Sequence, residues 1–399
     1  MLKKLYVNNF KTLMDFTFEP KGVNLLIGRN NVGKSSVCQA LEFLACSTFM
    51  PLYEAPRVTI GSASSIGNRF VGDSVIQFVL ECGFPVGGCD STFRYELVLE
   101  PREDADPWPV VVSEWLSVTR EDLGPVPVLD RTRDRAKVFD GSVPPQPGTP
   151  LLSDMVRETE IAPYSTFLNA LKDAPEYSLA ALFKRYLRSW WFNEVEVSRL
   201  RSTRVGGPEP VLARGGDNLS SVLRRLKSKD QAALDEVIHL ARSVEPDIDS
   251  LEFPKSPDPD QVFMRLKTRQ GAEFAVSELS GGTLRVLALA YVAVVNRAAS
   301  ENGLVAPRLT VFEEPETGVF VGQLRKLFDA LDPSGRAGQY IFTSHSPYFI
   351  DLFDGNLDGV FLLKREGERT VMSQPDPAKT KELLEEFSLG ELHFREMLG

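Results

Sequence analysis

The amino-terminal third of the chain contains short apolar runs separated by polar and turn-forming residues. Runs rich in β-branched and aromatic residues, bounded by Asn, Pro or Gly, are typical of strands. In one run Phe93, Tyr95, Leu97 and Leu99 alternate with polar or small residues, so we expect a half-buried antiparallel strand there. The runs predict strands over residues 2–7, 16–18, 23–27, 74–82, 92–99 and 110–118.

The middle of the chain has a different pattern, with apolar residues every three or four positions. This spacing predicts amphipathic helices. The residues are Leu179, Leu182, Phe183, Tyr186 and Leu187, then Leu219, Val222, Leu223 and Leu226, then Leu234, Val237, Ile238 and Ala241. Residues 140–148 are rich in Pro and Gly and predict a surface loop. No heptad pattern is sustained, which argues against long coiled-coil arms.

Composition narrows the class of protein. The chain has 399 residues, of which 43% are hydrophobic and 25% charged, as in a soluble protein of two or three domains. Its longest apolar run, residues 286–295, is about half of what a membrane helix needs. The amino terminus has no signal-peptide pattern, and the four cysteines predict neither a disulfide scaffold nor a zinc site. We therefore expect a cytoplasmic protein with no membrane partner.

The strongest chemical signal is the pattern G-x-x-x-x-G-K-S at residues 28–35, which we call the phosphate-binding loop. It follows the predicted strand 23–27 and precedes apolar residues with helical spacing, which is the context that this motif requires. Gly28 and Gly33 allow backbone amides to turn around phosphates, and the following helix start favours an anion. These features predict a nucleotide site.

Two side chains of this loop have predicted roles in the chemistry. Lys34 can reach the β- and γ-phosphates, and Ser35 can bind Mg²⁺. The other candidate ATP contacts in and after the loop are Asn30, Asn31 and Ser36.

A second signal is an apolar strand, residues 309–312, that ends in the acidic pair Glu313 and Glu314. Groups at the carboxyl ends of parallel strands face ligands. Glu313 is then placed to hold Mg²⁺, and Glu314 to orient or deprotonate the attacking water. The alternative is a solvated acidic pair with no catalytic role.

Two further segments are weaker signals on their own. Ser280 can cap a helix in which Gly281 and Gly282 leave the first amides open to a phosphate, although a plain helix cap fits the same residues. His345 follows a predicted strand over residues 340–343 and could contact a γ-phosphate, although a lone histidine is usually structural.

In this order, the motifs resemble those of the nucleotide-binding domain of ABC-type ATPases, in the SMC/RecF/OLD branch. Residues 28–35 resemble its Walker A motif, 279–282 its signature motif and 309–314 its Walker B motif, while His345 resembles its switch histidine. Lys11 resembles the basic residue that lies beside the phosphates in this branch. The resemblance extends over about residues 1–120 and 262–365.

The resemblance implies a site and an assembly. ATP and Mg²⁺ would be the cofactors, with Glu314, His345 and Lys34 catalytic and Ser35 and Glu313 at the metal. Ser280, Gly281 and Gly282 would act in trans on ATP bound to another subunit. The assembly would be a head-to-tail homodimer or a higher oligomer.

The implied fold is an α/β, ABC/RecF-like P-loop ATPase head with an inserted, mainly helical lobe. Residues 1–125 would form the amino-terminal part of the ATPase lobe and 126–260 the inserted lobe. Residues 261–370 would complete the ATPase lobe, and 371–399 would form a helical tail.

Residues 313–316, 343–347 and 388–392 also resemble those of compact RecF-like ATPases of bacterial anti-phage systems. Such proteins act with a separately encoded effector, a nuclease or toxin, which is therefore the expected partner. Residues 346–399 are too few for the nuclease domain that OLD nucleases carry there, so we expect any cleavage to need another chain. This sequence departs from the pattern in having Glu313 where Asp is usual, and in lacking His-Leu-His-Pro at 318–321.

The charge is unevenly distributed. The net charge is −10, yet residues 184–229 hold eleven basic and four acidic residues, with Trp190, Trp191 and Phe192 among them. One interpretation is a DNA contact through Arg224, Arg225 and Lys227. The other is a solvated helical face whose aromatics belong to the core. The alternatives to an effector-controlling ATPase are accordingly a RecF-like DNA-repair ATPase and a nucleotide-gated scaffold with little turnover.

Overall fold

The computed structural model describes twelve stretches of the chain: residues 1–62, 65–68, 75–102, 108–120, 123–139, 156–171, 179–193, 196–203, 212–302, 309–317, 321–329 and 338–398. The chain divides into two compact units. The first comprises Met1–Lys21, Gly28–Trp190 and Leu362–Ser373. The second comprises Gly22–Ile27, Trp191–Phe361 and Gln374–Gly399. The loop predicted at 140–148 lies outside the described residues.

The strands of the described residues are β1 (Leu2–Asn8), β2 (Phe16–Phe18), β3 (Val23–Ile27), β4 (Ile76–Val86), β5 (Cys89–Glu100), β6 (Val110–Arg120), β7 (Leu123–Thr132), β8 (Arg135–Phe139), β9 (Val156–Glu160), β10 (Trp190–Asn193), β11 (Ile248–Glu252), β12 (Arg265–Thr268), β13 (Glu273–Ala275), β14 (Leu309–Glu313), β15 (Gln339–Thr343), β16 (Val360–Glu366) and β17 (Arg369–Ser373).

The helices of the same residues are α1 (Lys34–Cys46), α2 (Ala55–Thr59), α3 (Phe167–Ala170), α4 (Leu179–Arg188), α5 (Val197–Leu200), α6 (Leu219–Lys229), α7 (Gln231–Val244), α8 (Gly281–Asn302), α9 (Val321–Phe328), α10 (Pro347–Ile350), α11 (Pro377–Leu383) and α12 (Leu389–Phe394). None of these helices meets the length and apolarity that a membrane span requires.

The first unit is built on an antiparallel sheet with the order β2-β1-β4-β5-β6-β7-β8-β9. The alternation predicted for 92–99 is present in β5, where Phe93, Tyr95, Leu97 and Leu99 are buried. Helix α1 contacts this sheet through aromatic side chains. The ring centroids of Phe43 in α1 and Phe78 in β4 lie 5.5 Å apart. This contact fixes the helix that begins at the phosphate-binding loop.

The sequence predicted that the inserted lobe begins at residue 126, and this prediction is wrong. Residues 123–139 and 156–160 form β7, β8 and β9, which continue the antiparallel sheet. Pro125 and Pro127 hid this strand pattern because proline cannot donate to a ladder. Strand β7 accommodates Pro127 where its register with β6 shifts next to Ser117. From α4 onward the helical pattern holds, and the apolar positions of α6 and α7 are buried as predicted.

A buried ion pair joins the middle of this sheet to the first residue of α3. Arg131 Nη1 lies 3.2 Å from Glu114 Oε2, and both side chains are fully buried. Glu114 also accepts hydrogen bonds from the Tyr95 hydroxyl at 2.9 Å and the Phe167 amide at 2.6 Å. Burial raises the pKa of Glu114, and the charge of Arg131 opposes that rise.

Arg131→Met should lower the free energy of unfolding by about 3–5 kcal/mol, because it leaves the Glu114 carboxyl buried without its partner. Arg133→Met is the matched control, since the Arg133 side chain is 65% exposed and lies 3.9 Å from Glu100. The control should change stability by less than about 1 kcal/mol. Urea unfolding measures both, and equal losses in the two variants would contradict a structural role for the buried pair.

The second unit has a parallel core in which β15 lies between β14 and β3. Glu313 of β14 is in register with Thr343 of β15, which is in register with Leu26 of β3. The three carboxyl ends therefore meet at one edge of the sheet. The chain leaves β3 at Ile27 and enters the phosphate-binding loop with the next residue, Gly28. The fold thus brings the ends of the two predicted nucleotide strands and of β3 to the same edge.

Candidate nucleotide-binding site

The phosphate-binding loop is tightly curled. Gly28, Asn31 and Gly33 have φ values of 152°, 61° and 108°. A Cβ atom at Gly28 would collide with the carbonyl oxygen of Leu363 in β16, and one at Gly33 with the Thr370 hydroxyl in β17. The loop therefore depends on glycine both for its backbone angles and for the close approach of the β16–β17 hairpin.

Thr370 of β17 contacts the phosphate-binding loop and stabilises it. Its Oγ1 lies 2.8 Å from the Val32 carbonyl oxygen and 2.8 Å from Thr12 Oγ1. Its amide donates to the Thr12 carbonyl oxygen at 2.8 Å. Sequence reasoning did not find Thr370, because a single threonine more than 300 residues from the loop carries no motif signal.

Gly33→Ala should lower the free energy of unfolding by about 2–4 kcal/mol, since it combines an unfavourable φ with a collision at Thr370. The matched control is Gly61→Ala, because Gly61 has a φ of 87° but a Cβ there would have no atom of the described residues within 4 Å. That control should cost only about 1–2 kcal/mol, the price of the backbone angle. Urea unfolding compares the two, and equal losses would show that Thr370 does not constrain the loop.

The residues predicted to contact ATP lie in this loop, except for Lys11 and Ser36. Lys34 is 7% exposed, and its Nζ donates to the carbonyl oxygens of Gly28 at 2.7 Å and Arg29 at 2.9 Å. Lys11 Nζ donates to Gln39 Oε1 of α1 at 2.6 Å. Ser36 Oγ lies 3.5 Å from Thr12 Oγ1. The remaining contacts, Asn30, Asn31 and Ser35, are exposed.

The acidic pair ends β14 as predicted. Glu313 is half-buried and Glu314 is exposed, with a φ of 46° that is unusual for a residue other than glycine. The Glu314 amide donates to the Thr343 carbonyl oxygen at 3.0 Å, which fixes this turn against β15. His345 Nε2 lies 3.9 Å from Glu314 Oε1. The structure therefore brings together two of the predicted catalytic residues.

A third carboxyl group, that of Glu316, lies at this sheet edge, and the sequence alone predicted no individual role for it. Glu316 Oε1 accepts a hydrogen bond from the Ser344 hydroxyl at 2.5 Å, while its buried Oε2 has no hydrogen-bond partner among the residues that the structure describes. Burial raises the pKa of Glu316, and hydrogen bonds from Ser344 and from the His345 and Ser346 amides oppose the rise. Glu316 thus binds the segment that carries His345.

The signature segment, residues 279–282, leads into α8. The Thr283 amide donates to Ser280 Oγ at 3.0 Å, so Ser280 caps the helix as predicted. Gly281 and Gly282 form the first turn and are half-exposed. A helix start of this kind presents unpaired backbone amides to an anion.

The predicted DNA contacts lie on α6. Arg224 and Lys227 are exposed and Arg225 is half-buried, and Lys227 Nζ lies 5.8 Å from the centre of the Phe253 ring. Trp190 and Trp191 are only 5% and 2% exposed. The two tryptophans therefore belong to the core and are not available to stack on bases, which leaves only the half-buried Phe192 of the three aromatic residues for such a role.

The chain resembles known proteins over most of its length. A family model described as "AAA domain, putative AbiEii toxin, Type IV TA system" matches residues 23–351. No curated protein matches the chain. The structure of the SmcHead bound to the C-winged helix domain of ScpA is similar, with a TM-score of 0.55 and 10% identity over 95% of this chain and 99% of that chain.

A second solved structure is the Smc head domain with an extended coiled coil, bound to the C-terminal domain of ScpA derived from Pyrococcus furiosus. It has a TM-score of 0.51 and 11% identity over 96% of this chain and 98% of that chain. At such identity the likeness concerns the fold alone. The predicted α/β fold of an SMC-type ATPase head is confirmed.

Proposed function

The chain belongs to this AAA-domain family, and from that premise we propose that it is a Mg²⁺-dependent ATPase whose ATP-driven, head-to-tail dimerisation controls a separately encoded effector in bacterial anti-phage defence. One observation carries the enzymatic part of the proposal. Glu314 and His345 meet at the carboxyl ends of adjacent parallel strands, and the next strand of the same sheet leads into the phosphate-binding loop.

The phosphates of ATP are bound by the loop amides, by Lys34 and by the start of α1. The Lys34 ammonium is buried against the loop carbonyls, which keeps the charge at the place where the phosphates bind. Ser35 and Glu313 would hold Mg²⁺, since a hydroxyl and a carboxylate are hard oxygen ligands suited to this ion. When bound, Mg²⁺ neutralises charge on the β- and γ-phosphates.

Glu314 orients and deprotonates the attacking water. Its carboxylate is 53% exposed, so that a water molecule can reach it. The positive φ of Glu314 costs about 1–3 kcal/mol, and strain of this kind is retained where it directs a functional side chain. His345 lies beside this carboxylate and contacts the γ-phosphate, so one pair of residues aligns both reactants.

The dimer forms because the signature segment of one subunit closes over ATP bound to the other. Two half-exposed glycines at a capped helix start give such a segment free amides for a γ-phosphate. ATP then joins two heads, or heads within a higher oligomer, and hydrolysis releases them. The change in assembly alters what the inserted lobe presents to an effector.

The family description refers to a toxin–antitoxin (TA) system, and a second, separately encoded protein is compatible with such a system. Affinity purification tests this part of the proposal. Tagged Glu314→Gln protein, purified with ATP, should retain a nuclease or toxin that Lys34→Ala does not. Enrichment of no such protein, or equal enrichment with both variants, would contradict control of an effector by bound ATP.

A RecF-like DNA-binding ATPase is the second candidate, favoured by the exposed Arg224 and Lys227 and by Arg225 between them on α6. DNA binding through phosphates must weaken with salt. Reversal of the three charges should then abolish duplex binding without changing ATP hydrolysis in the absence of DNA. DNA binding that is independent of salt, or that survives charge reversal, excludes this candidate.

A stable ATP-bound oligomer with no measurable turnover would instead favour the third candidate, a nucleotide-gated scaffold.

A further inference from the structure

Three contacts from neighbouring elements hold the signature segment and the residue that follows it, Thr283. Arg201, directly after α5, donates from Nη2 to the Leu279 carbonyl oxygen at 3.0 Å. The side chain of Val197 in α5 packs on Gly281, where an added Cβ would come within 2.9 Å of its Cγ2 atom. Thr283 donates from its hydroxyl to Glu245 Oε2 at 2.7 Å. Glu245 is half-buried and directly follows α7 as its capping residue.

The hydroxyl hydrogen bonds that connect Glu245, Thr283 and Ser280 have only one consistent direction. A carboxylate can only accept, so the single hydroxyl hydrogen of Thr283 points to Glu245. Thr283 Oγ1 lies 2.8 Å from Ser280 Oγ and must therefore accept the hydrogen of the Ser280 hydroxyl. The Thr283 amide completes the ring by donating to Ser280 Oγ. The orientation of the Ser280 hydroxyl thus depends on the Glu245 carboxylate, at the carboxyl-terminal end of α7.

We propose that Glu245 is a positioning residue that orients Ser280, through the Thr283 hydroxyl, for its action on ATP in the partner subunit. This inference rests on the proposed head-to-tail dimer. Glu245 does not touch the nucleotide, and it links the end of α7 to the first turn of α8. Because α7 follows the basic helix α6 after one residue, the same link connects the end of the α6–α7 pair to the signature segment.

Single variants test the link through Thr283. Thr283→Val removes the hydroxyl and Thr283→Ser retains it, so kcat should fall about tenfold in the first and stay within about twofold of wild type in the second. Glu245→Ala should match Thr283→Val. The KM for ATP should change little in all three, because the signature segment does not form the binding loop. Glu252→Ala, an exposed glutamate of β11, is the matched control.

Mixed dimers show whether Glu245 acts in trans. Glu245→Ala protein is mixed with Glu314→Gln protein, so that one site of each mixed dimer combines an intact acidic pair with an intact signature segment. ATPase activity should rise to about a quarter of wild type, well above the sum of the separate proteins. A parallel mixture of Ser280→Arg with Glu314→Gln tests the head-to-tail arrangement without involving Glu245.

The outcomes separate the two claims. Recovery in both mixtures supports the positioning role of Glu245. Recovery with Ser280→Arg alone, or a kcat of Thr283→Val equal to that of Thr283→Ser, overturns that role and leaves the dimer intact. Recovery in neither mixture overturns the head-to-tail dimer itself, and the role of Glu245 falls with it.

Discussion

Glu314→Gln should lower the kcat of ATP hydrolysis by about 10²–10⁴-fold while ATP affinity stays within a few-fold of wild type. Glutamine keeps the size of the side chain but cannot take a proton from water. The backbone turn should persist, since it is held by the Glu314 amide and the Thr343 carbonyl oxygen. Steady-state phosphate release measures kcat, and a fluorescent ATP analogue measures affinity.

The control for this variant is Glu385→Gln, which changes an exposed glutamate in the carboxyl-terminal segment. It should hydrolyse ATP at the wild-type rate. A Glu314→Gln protein that retains wild-type turnover would show that this carboxylate does not activate the water. The assignment of the acidic pair as a hydrolysis site would then be wrong.

Lys34→Ala should raise the Kd for ATP by about 100-fold or more. The ammonium would make charge-assisted hydrogen bonds to two phosphates, each worth about 1.5–3 kcal/mol. The same substitution removes the hydrogen bonds from Lys34 Nζ to the Gly28 and Arg29 carbonyl oxygens, so the loop also loses part of its internal order. Titration calorimetry with ATP and Mg²⁺ measures the change.

Lys379→Ala is the control, because Lys379 is an exposed lysine in the first turn of α11. It should bind ATP as wild type does. An unchanged Kd in Lys34→Ala would mean that residues 28–35 do not bind the phosphates, however well they match the motif.

Strands whose pattern was uninterrupted could be predicted closely from the sequence. Strand β3 spans Val23–Ile27, as the apolar run indicated, and β14 ends at Glu313. Strand β4 runs to Val86, beyond the predicted end at 82, because Gly83 and Pro85 interrupt the apolar pattern without ending the ladder. Strand β7 was missed for the same reason, at Pro125 and Pro127. Local chemistry suggested a break where long-range pairing maintains the strand.

The candidate site divides in the same way. Motif spacing gives the phosphate-binding loop, the acidic pair, the signature segment and His345 as candidates, because each is local in sequence. It could not indicate Thr370, Glu245 or the buried role of Glu316, because each acts on a segment to which it is joined only by folding. Such supporting residues depend on tertiary contacts and carry no short pattern.

In the proposed mechanism, ATP joins two copies of this chain. Light scattering after size-exclusion chromatography of Glu314→Gln, with ATP and Mg²⁺ or with ADP, measures this assembly. We expect about twice the chain mass of 44.4 kDa, or a higher multiple, with ATP. We expect the mass of one chain with ADP, and with ATP in Lys34→Ala. The same mass in all three conditions would contradict ATP-driven assembly.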